Sequence, residues 1–205
     1  MLKLDALQQT PVSPQPYPYL VVPQIIEEEY LPQLVAGFPD ITHPGSIPVA
    51  EANGGPLFHA LIEELEGDTM RQTIAEKFQL DLNGLPVFTT LRGVMRAKDG
   101  AIHRDSKTKI ITLLLYFNEA WEQPGGRLRI LRSDSNLDDY ADEITPVAGR
   151  MLLFKVTDNC WHGHIPVEGK RFSIQLNYLV GKAAKGKHQF FHSLSAKLKK
   201  RLGAV

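Results

Sequence analysis

Short apolar stretches separated by turn-forming residues constrain the fold of this chain more than any other feature. Five such stretches follow one another in the second half of the chain: Val87–Met95, Lys109–Phe117, Arg127–Leu131, Met151–Val156 and Phe172–Val180. Glycine-containing turns separate them at Asp99-Gly100, Pro124-Gly125-Gly126, Val147-Ala148-Gly149 and Glu168-Gly169. Many short strands with turn signals between them predict an antiparallel sandwich or jelly roll.

Helical periodicity precedes these strands. Apolar residues recur at helical spacing in two groups, Ile26, Tyr30, Leu34 and Val35, and then Leu57, Phe58, Leu61, Ile62 and Leu65. Asp68 is placed to cap a third helix that carries Met70, Ile74 and Phe78. A short strand is expected at Tyr19–Val22, among prolines. Helices first and strands afterwards predict an α+β protein that is mainly β.

We expect one domain over residues 1–205, in three parts. Residues 1–84 form an N-terminal extension with supporting helices, residues 85–181 the jelly-roll core, and residues 182–205 a basic C-terminal helix. In the last part Phe191, Leu194, Leu198 and Leu202 fall on one helical face among many lysines. Such a helix packs its apolar stripe on its own domain or, alternatively, lies on a membrane surface or an acidic partner.

Composition excludes some classes of protein. The 23 basic and 23 acidic residues cancel, so no global charge favours a specific nucleic acid as partner. The single cysteine, Cys160, cannot form an internal disulfide, the first residues lack the apolar run of a signal peptide, and no stretch is apolar enough for a transmembrane segment. We therefore expect a soluble, cytoplasmic protein; its oligomeric state is not indicated.

Two imidazoles and a carboxylate form a candidate metal site. His103 and Asp105 are two residues apart, which puts both side chains on one side of a strand, and His162 follows much later. Two histidines with one carboxylate are the ligand set that holds non-haem Fe(II) on one face and leaves the other positions open. His164 lies at ligand spacing on the same face as His162, so the chemistry of the residues does not choose between them.

The last predicted strand has a polar face that suits an anion. Arg171, Ser173, Gln175 and Asn177 alternate with Phe172, Ile174, Leu176 and Tyr178. An antiparallel strand can send its polar face to water, or line a cavity with it in a closed jelly roll. In the second case Arg171 needs an anionic partner and suits a carboxylate. Tyr116, on the face with Thr112 and Leu114, is either a second group for that carboxylate or a plain core tyrosine.

Over roughly residues 85–181 the chain resembles the Fe(II)- and 2-oxoglutarate-dependent oxygenases, in their prolyl-hydroxylase-like branch. The resemblance lies in His103-Arg104-Asp105, Leu115-Tyr116-Phe117-Asn118, Pro124-Gly125-Gly126, Pro146-Val147-Ala148-Gly149, Phe154, Trp161 to Val167 and Arg171-Phe172-Ser173. It implies a double-stranded β-helix with Fe(II) held by His103, Asp105 and His162. The interval that separates the family's histidine from its arginine selects His162 over His164.

The resemblance also implies an activity. Arg171, assisted by Ser173 and Tyr116, would bind the distal carboxylate of 2-oxoglutarate, and O2 would be the other co-substrate. A C–H bond of a small-molecule or peptidyl substrate would be hydroxylated with release of succinate and CO2. The alternatives are a non-catalytic jelly-roll module that binds the metal or 2-oxoglutarate for sensing, and a cupin-like enzyme that uses the same ligands without a keto acid.

Three positions bear on the type of reaction. Asp105 occupies the place where halogenating relatives carry a small residue, which favours hydroxylation. Asn177 stands where alkylated-base demethylases repeat an arginine, which argues against nucleic-acid repair. Ala97 stands where peptidyl-prolyl hydroxylases commonly carry an aromatic residue, so peptide proline, a free amino acid, a sugar derivative and other metabolites all stay open as substrates.

Overall fold

A computed structural model describes residues 1–181 and Gly186 of the chain. Four α-helices lie in the first part: α1 (Leu4–Gln9), α2 (Leu31–Ala36), α3 (Pro56–Glu66) and α4 (Asp68–Phe78), with a 3-10 turn at Val49–Glu51. The strands are β1 (Tyr19–Val22), β2 (Ile47–Pro48), β3 (Val87–Met95), β4 (Lys109–Tyr116), β5 (Leu128–Leu131), β6 (Tyr140–Ile144), β7 (Met151–Lys155), β8 (His162–Gly163) and β9 (Gly169–Leu179).

The strands form two antiparallel sheets. The larger sheet has the order β1-β7-β4-β9-β3-β2, and the smaller has the order β6-β5-β8. Neighbouring strands in the larger sheet are far apart in sequence, as in the pairing of β3 with β9. The expectation of a mainly β protein with antiparallel sheets and few helices is confirmed.

Strand β4 of the larger sheet divides its side chains between two cores, because successive residues point to opposite faces. On β4, Ile111, Leu113 and Leu115 pack in the core that contains the buried residues of α3 and α4. Leu114 and Tyr116 pack in a second core with Leu128 and Ile130 of the smaller sheet. The helices therefore cover one face of the larger sheet, and the smaller sheet covers the other. Tyr116 and Leu114 thus share one face of β4, as the alternation along this strand predicts.

The predicted helices need two corrections. The first was expected over Ile26–Val35, whereas α2 spans only Leu31–Ala36 with Pro32 in its first turn. Proline is tolerated there because its missing N–H would be unsatisfied anyway, but it would break a helix that started a turn earlier. Asp68 does not cap the third predicted helix, which is α4. Gly67 is the N-cap, and Asp68 lies in the first turn, where its Oδ1 is 3.6 Å from Nε of Arg71.

Other predictions compare as follows. The five main strands are confirmed within a few residues of their expected ends, and β1 coincides with Tyr19–Val22. Helix α1 and strands β2, β6 and β8 were not predicted.

The basic C-terminal helix lies outside the described residues apart from Gly186, and the division of the chain into three parts stays a prediction. Within the described residues, no helix has the length and apolar character needed to cross a membrane.

Candidate metal and co-substrate site

His103 and His162 meet through a short antiparallel bridge. Each backbone N–H donates to the other residue's carbonyl at 2.9 Å, and the two ring centroids are 4.3 Å apart. The approach needs glycines on both sides. Gly100, with φ of +107°, turns the chain towards His103, and a Cβ at Gly163 would lie 2.9 Å from the carbonyl oxygen of Gly100. A side chain at either position would separate the two segments.

Backbone carbonyls orient both imidazoles. Nδ1 of His103 lies 2.9 Å from the carbonyl oxygen of Ala101, and Nδ1 of His162 lies 2.9 Å from that of Cys160. A carbonyl only accepts hydrogen bonds, so each Nδ1 carries a proton and, in the neutral ring, Nε2 is the nitrogen that keeps its lone pair. This is the tautomer that a metal-binding histidine needs, with its second nitrogen fixed by a partner.

Asp105 completes a group of three. Ligand atoms of His103, Asp105 and His162 all lie within 4.8 Å of one another, which is compatible with one shared metal ion. One carboxylate oxygen of Asp105 accepts from Nζ of Lys109 at 2.8 Å, and the other accepts from the hydroxyl of Thr112 at 2.5 Å. Both partners hold the carboxylate in one orientation. Two nitrogen ligands and one carboxylate on adjacent segments suit Fe(II) with open positions.

The protonation states favour metal binding. Burial alone would raise the pKa of Asp105, but Lys109 and His162 outweigh it and bring that pKa to about 2. Burial, followed by the neighbouring His103, lowers the pKa of His162 to about 4. Near neutral pH the group therefore offers an ionised carboxylate and a neutral His162, the forms that bind a metal.

Arg171 opens into the same cavity, and no acidic side chain among the described residues pairs with it. The cavity, of about 130 Å³, is lined by the three candidate ligands together with Arg171 and Ser173. Arg171 is 6% exposed and donates through Nη2 to the hydroxyl of Tyr116 at 3.2 Å. Its Nε and the Ser173 hydroxyl are buried without a hydrogen-bond partner in the described structure. A carboxylate would accept hydrogen bonds from these buried donors and neutralise the charge of Arg171.

Tyr116 supports that arrangement. It is fully buried, its ring lies 5.0 Å from the guanidinium carbon of Arg171, and burial raises its pKa although Arg171 opposes the shift. The phenol therefore stays protonated. Because its oxygen already accepts from Arg171, its own O–H remains available to a further acceptor.

The structure thus brings together all six residues expected to form the site. His164 also lines the cavity, but it lies outside the group of three, and its Nδ1 is 3.0 Å from the carbonyl oxygen of Ile165. Burial lowers its pKa as well. Cys160 is buried and free; its carbonyl oxygen, rather than its sulfur, contacts His162.

Three other residues at the cavity were missed from the sequence. Lys109, four residues after Asp105, is its ion-pair partner. Thr112 was placed on the correct face, but its hydrogen bond to Asp105 was not foreseen. Arg92 of β3 also lines the cavity, and the alternation along β3 could have revealed it, because Arg92 lies opposite the polar Ser173 in the register with β9.

Comparison with known proteins agrees with this geometry. Residues 93–179 match the model of the 2OG-Fe(II) oxygenase superfamily, whose members use Fe(II), 2-oxoglutarate and O2. The expected resemblance and the expected cofactors are confirmed at the level of that family. No curated protein matches the chain.

Solved structures share the fold at low identity. A prolyl-4-hydroxylase from Pseudomonas putida is 18% identical with a TM-score of 0.57, and the match covers 86% of this chain and 96% of that one. A prolyl 4-hydroxylase from Phytophthora capsici is 15% identical with a TM-score of 0.53, over 86% of this chain and 61% of that one. The viral collagen prolyl hydroxylase of Paramecium bursaria Chlorella virus-1, in complex with 2OG, is 12% identical with a TM-score of 0.53, over 78% and 96%.

Proposed function

Because residues 93–179 match the model of the 2OG-Fe(II) oxygenase superfamily, we propose that this protein is a hydroxylase that holds Fe(II) through His103, Asp105 and His162. Arg171, with Ser173 and Tyr116, binds the distal carboxylate of 2-oxoglutarate. The overall reaction consumes one R–H bond, one 2-oxoglutarate and one O2, and releases R–OH, succinate and CO2. Bound Fe(II) supplies the centre at which O2 is reduced as 2-oxoglutarate is decarboxylated.

One observation carries the proposal: an unpaired, buried arginine and a three-ligand group share one small cavity. A metal site alone gives no reason to bury Arg171 without an acidic partner, since an uncompensated charge is costly away from water. A dicarboxylate that reaches from the metal to Arg171 removes that cost. The similar viral enzyme was solved in complex with 2OG, which supports the same co-substrate here.

The protein's own groups perform three tasks in this reaction. The backbone carbonyls behind both histidines fix the ring tautomers. Lys109 and Thr112 orient the Asp105 carboxylate, and the paired donors of Arg171 and Tyr116 set the direction in which the co-substrate lies. The enclosing sheets limit water around the reacting bond.

Hydroxylation, a small-molecule or peptidyl substrate and a cytoplasmic location are parts of the proposal. The first rests on Asp105 as a third ligand, and the last on the single cysteine, which cannot form an internal disulfide.

The test is spectroscopic and chemical. Protein loaded with Fe(II) under nitrogen should develop a weak visible charge-transfer band when 2-oxoglutarate is added, and admission of O2 should give slow formation of succinate and CO2 in equal amounts. Asp105→Ala is the matched control and should lose both signals. A band without succinate would instead indicate the sensing module, and succinate-free oxidation of a substrate would indicate the cupin-like enzyme. Absence of both signals from the wild type would refute the proposal.

A further inference from the structure

The cavity is too small to enclose a primary substrate together with the co-substrate. Its volume of about 130 Å³ lies well below the roughly 300–1,000 Å³ of pockets that surround a whole drug-sized ligand. Iron and a small dicarboxylate would occupy most of it. A primary substrate would therefore be recognised by residues at the mouth, while only its reacting group reaches inward.

Arg92 lies at the mouth of the cavity. It lies opposite Ser173 in the register of β3 and β9, so its side chain leaves the sheet on the same face as Ser173. It lines the cavity, and the residue as a whole is exposed although protein surrounds its charged end, as expected for a residue at an opening. Its Nε donates to the hydroxyl of Ser46 at 3.0 Å, a neutral partner that leaves the positive charge uncompensated.

The charges around Arg92 leave a positive excess. Among the described residues that line the cavity, Arg92, Lys109 and Arg171 are cationic, and Asp105 alone is a carboxylate. Lys109 is paired with Asp105, which leaves two uncompensated arginines. The nearby Asp99 is already engaged by Arg96, at 2.8 Å between Nη2 and Oδ1. Fe(II) and the dianion 2-oxoglutarate cancel, so the excess of two positive charges remains after both have bound.

The two arginines also repel each other. The pKa of Arg92 is lowered, first by the protein that surrounds its charged end and then by the charge of Arg171. An anion near Arg92 would gain a charge-assisted, bidentate contact with the guanidinium.

We infer that Arg92 is a specificity-determining residue and that the primary substrate carries an oxyanion, a carboxylate or a phosphate, which binds Arg92 at the mouth of the cavity. The inference rests on the proposed function and adds to it a chemical class of substrate. It favours a small acidic metabolite or an acidic group on a larger molecule over a neutral prolyl peptide.

The experiment titrates simple anions into the wild type loaded with Fe(II) and saturated with 2-oxoglutarate under nitrogen. Inorganic phosphate probes the phosphate class, and malonate compared with malonamide probes the carboxylate class. Retention of the visible band during each titration shows that 2-oxoglutarate has not been displaced. Because the band must be present before any anion is added, failure of the proposed function is detected separately from failure of this inference.

Arg92→Gln keeps a polar side chain and removes the charge. We expect it to weaken binding of phosphate or malonate about ten- to hundredfold, the loss expected for a hydrogen bond to a charged group, while leaving the affinity for 2-oxoglutarate unchanged. Arg132→Gln is the matched control, since Arg132 is an exposed arginine that pairs with Asp139 away from the cavity, and it should bind as the wild type does.

Four results would overturn the inference. The wild type could bind neither anion once 2-oxoglutarate is bound, or bind malonamide as well as malonate without binding phosphate. Arg92→Gln could bind the anions as tightly as the wild type. It could also lose affinity for 2-oxoglutarate as strongly as Arg171→Ala, in which case Arg92 would belong to the co-substrate site.

Discussion

Arg171 contacts Tyr116 in two ways, through a hydrogen bond of 3.2 Å to the phenol oxygen and through a guanidinium that lies 5.0 Å from the ring centroid. The two residues are neighbours because β4 and β9 pair in a register that sets Tyr116 opposite Ser173. The aromatic ring shields the cation from one side, and Arg171 lines the cavity with its Nε buried and without a hydrogen-bond partner in the described structure. The first prediction tests that pair.

Arg171→Ala should reduce the affinity for 2-oxoglutarate by roughly thirty-fold or more, because a buried carboxylate that loses its charged partner costs about 2–5 kcal/mol. Arg171→Lys should recover only part of the loss, because an ammonium lacks the planar fork. Tyr116→Phe should cost nearer 1 kcal/mol, since it removes one neutral hydroxyl. Calorimetric titration of anaerobic, iron-loaded variants measures all three. Unchanged affinity in Arg171→Ala would leave the metal site without its proposed co-substrate.

His162 and His164, which are separated by one residue, should differ in their effect on iron binding when each is replaced by alanine. His162→Ala should abolish iron binding and turnover, because it removes one of three ligands. His164→Ala should keep the iron, since His164 lies outside the group of three although it lines the same cavity. Iron content after gel filtration, measured together with succinate formation, distinguishes the variants. The reverse pattern would move the site by two residues.

The orientation of Asp105 should depend on Thr112. Thr112→Val preserves shape but removes the hydrogen bond to the carboxylate, and we expect iron affinity to fall about ten- to a hundredfold, as is usual when a partner that orients a metal ligand is lost. Thr112→Ser keeps the hydroxyl and should bind iron nearly as well as the wild type. Competition with a metal chelator gives both affinities. Equal affinities in the two variants would mean that Lys109 alone orients the carboxylate.

The metal-free protein should lose stability in mild acid through His162. Its pKa is about 4 in the folded chain and about 6.5 in a free side chain, so the unfolded chain binds more protons between these values. Its contribution is therefore fully present above pH 6.5 and is lost as the pH falls towards 4, by on the order of 2–3 kcal/mol. Urea unfolding at pH 7 and pH 4.5 measures this.

The control for this pH dependence removes the titrating group. His162→Gln should show a smaller loss of stability between the two pH values than the wild type, whereas replacement of the exposed His43 by Gln should leave the loss unchanged. An equal loss in His162→Gln and the wild type would assign the acid sensitivity to other groups.

The main strands could be predicted because alternation and turn residues are local patterns, whereas the six proposed site residues follow from their residue types and from the resemblance to the oxygenase family. Alternation along Arg171 to Val180 marks one polar face, and closure of the two sheets turns that face inward. Hydrogen-bond and ion-pair partners that only the folded structure brings together could not be predicted from local patterns. The carbonyl of Ala101 that fixes His103 has no side-chain signal at all, and the ion pair of Lys109 with Asp105 depends on how the intervening turn folds.

The first predicted helix shows that a local pattern can also mislead. Ile26 is fully buried as its periodicity suggested, yet it packs in the core from an extended segment, with Leu2 as its bridge partner. Burial and helical spacing coincide there without a helix. Strand β6 lies in a stretch that resembles an acidic loop, and its Glu143 pairs with the buried Arg129 at 2.8 Å. An acidic composition does not reveal such a pairing.

Tyr17 donates to the carbonyl oxygen of Trp161 at 2.9 Å, and its ring packs edge-on against Phe154, which in turn contacts the ring of His162. Asn159 donates to the carbonyl oxygen of Pro16 at 2.8 Å, so the turn that leads to His162 rests on the N-terminal segment. A fragment cut to residues 93–179 would keep every proposed ligand but lose Tyr17 and Pro16, which support Phe154 and the turn that leads to His162. We therefore expect the smallest active piece of this chain to extend beyond the stretch that the family model matches.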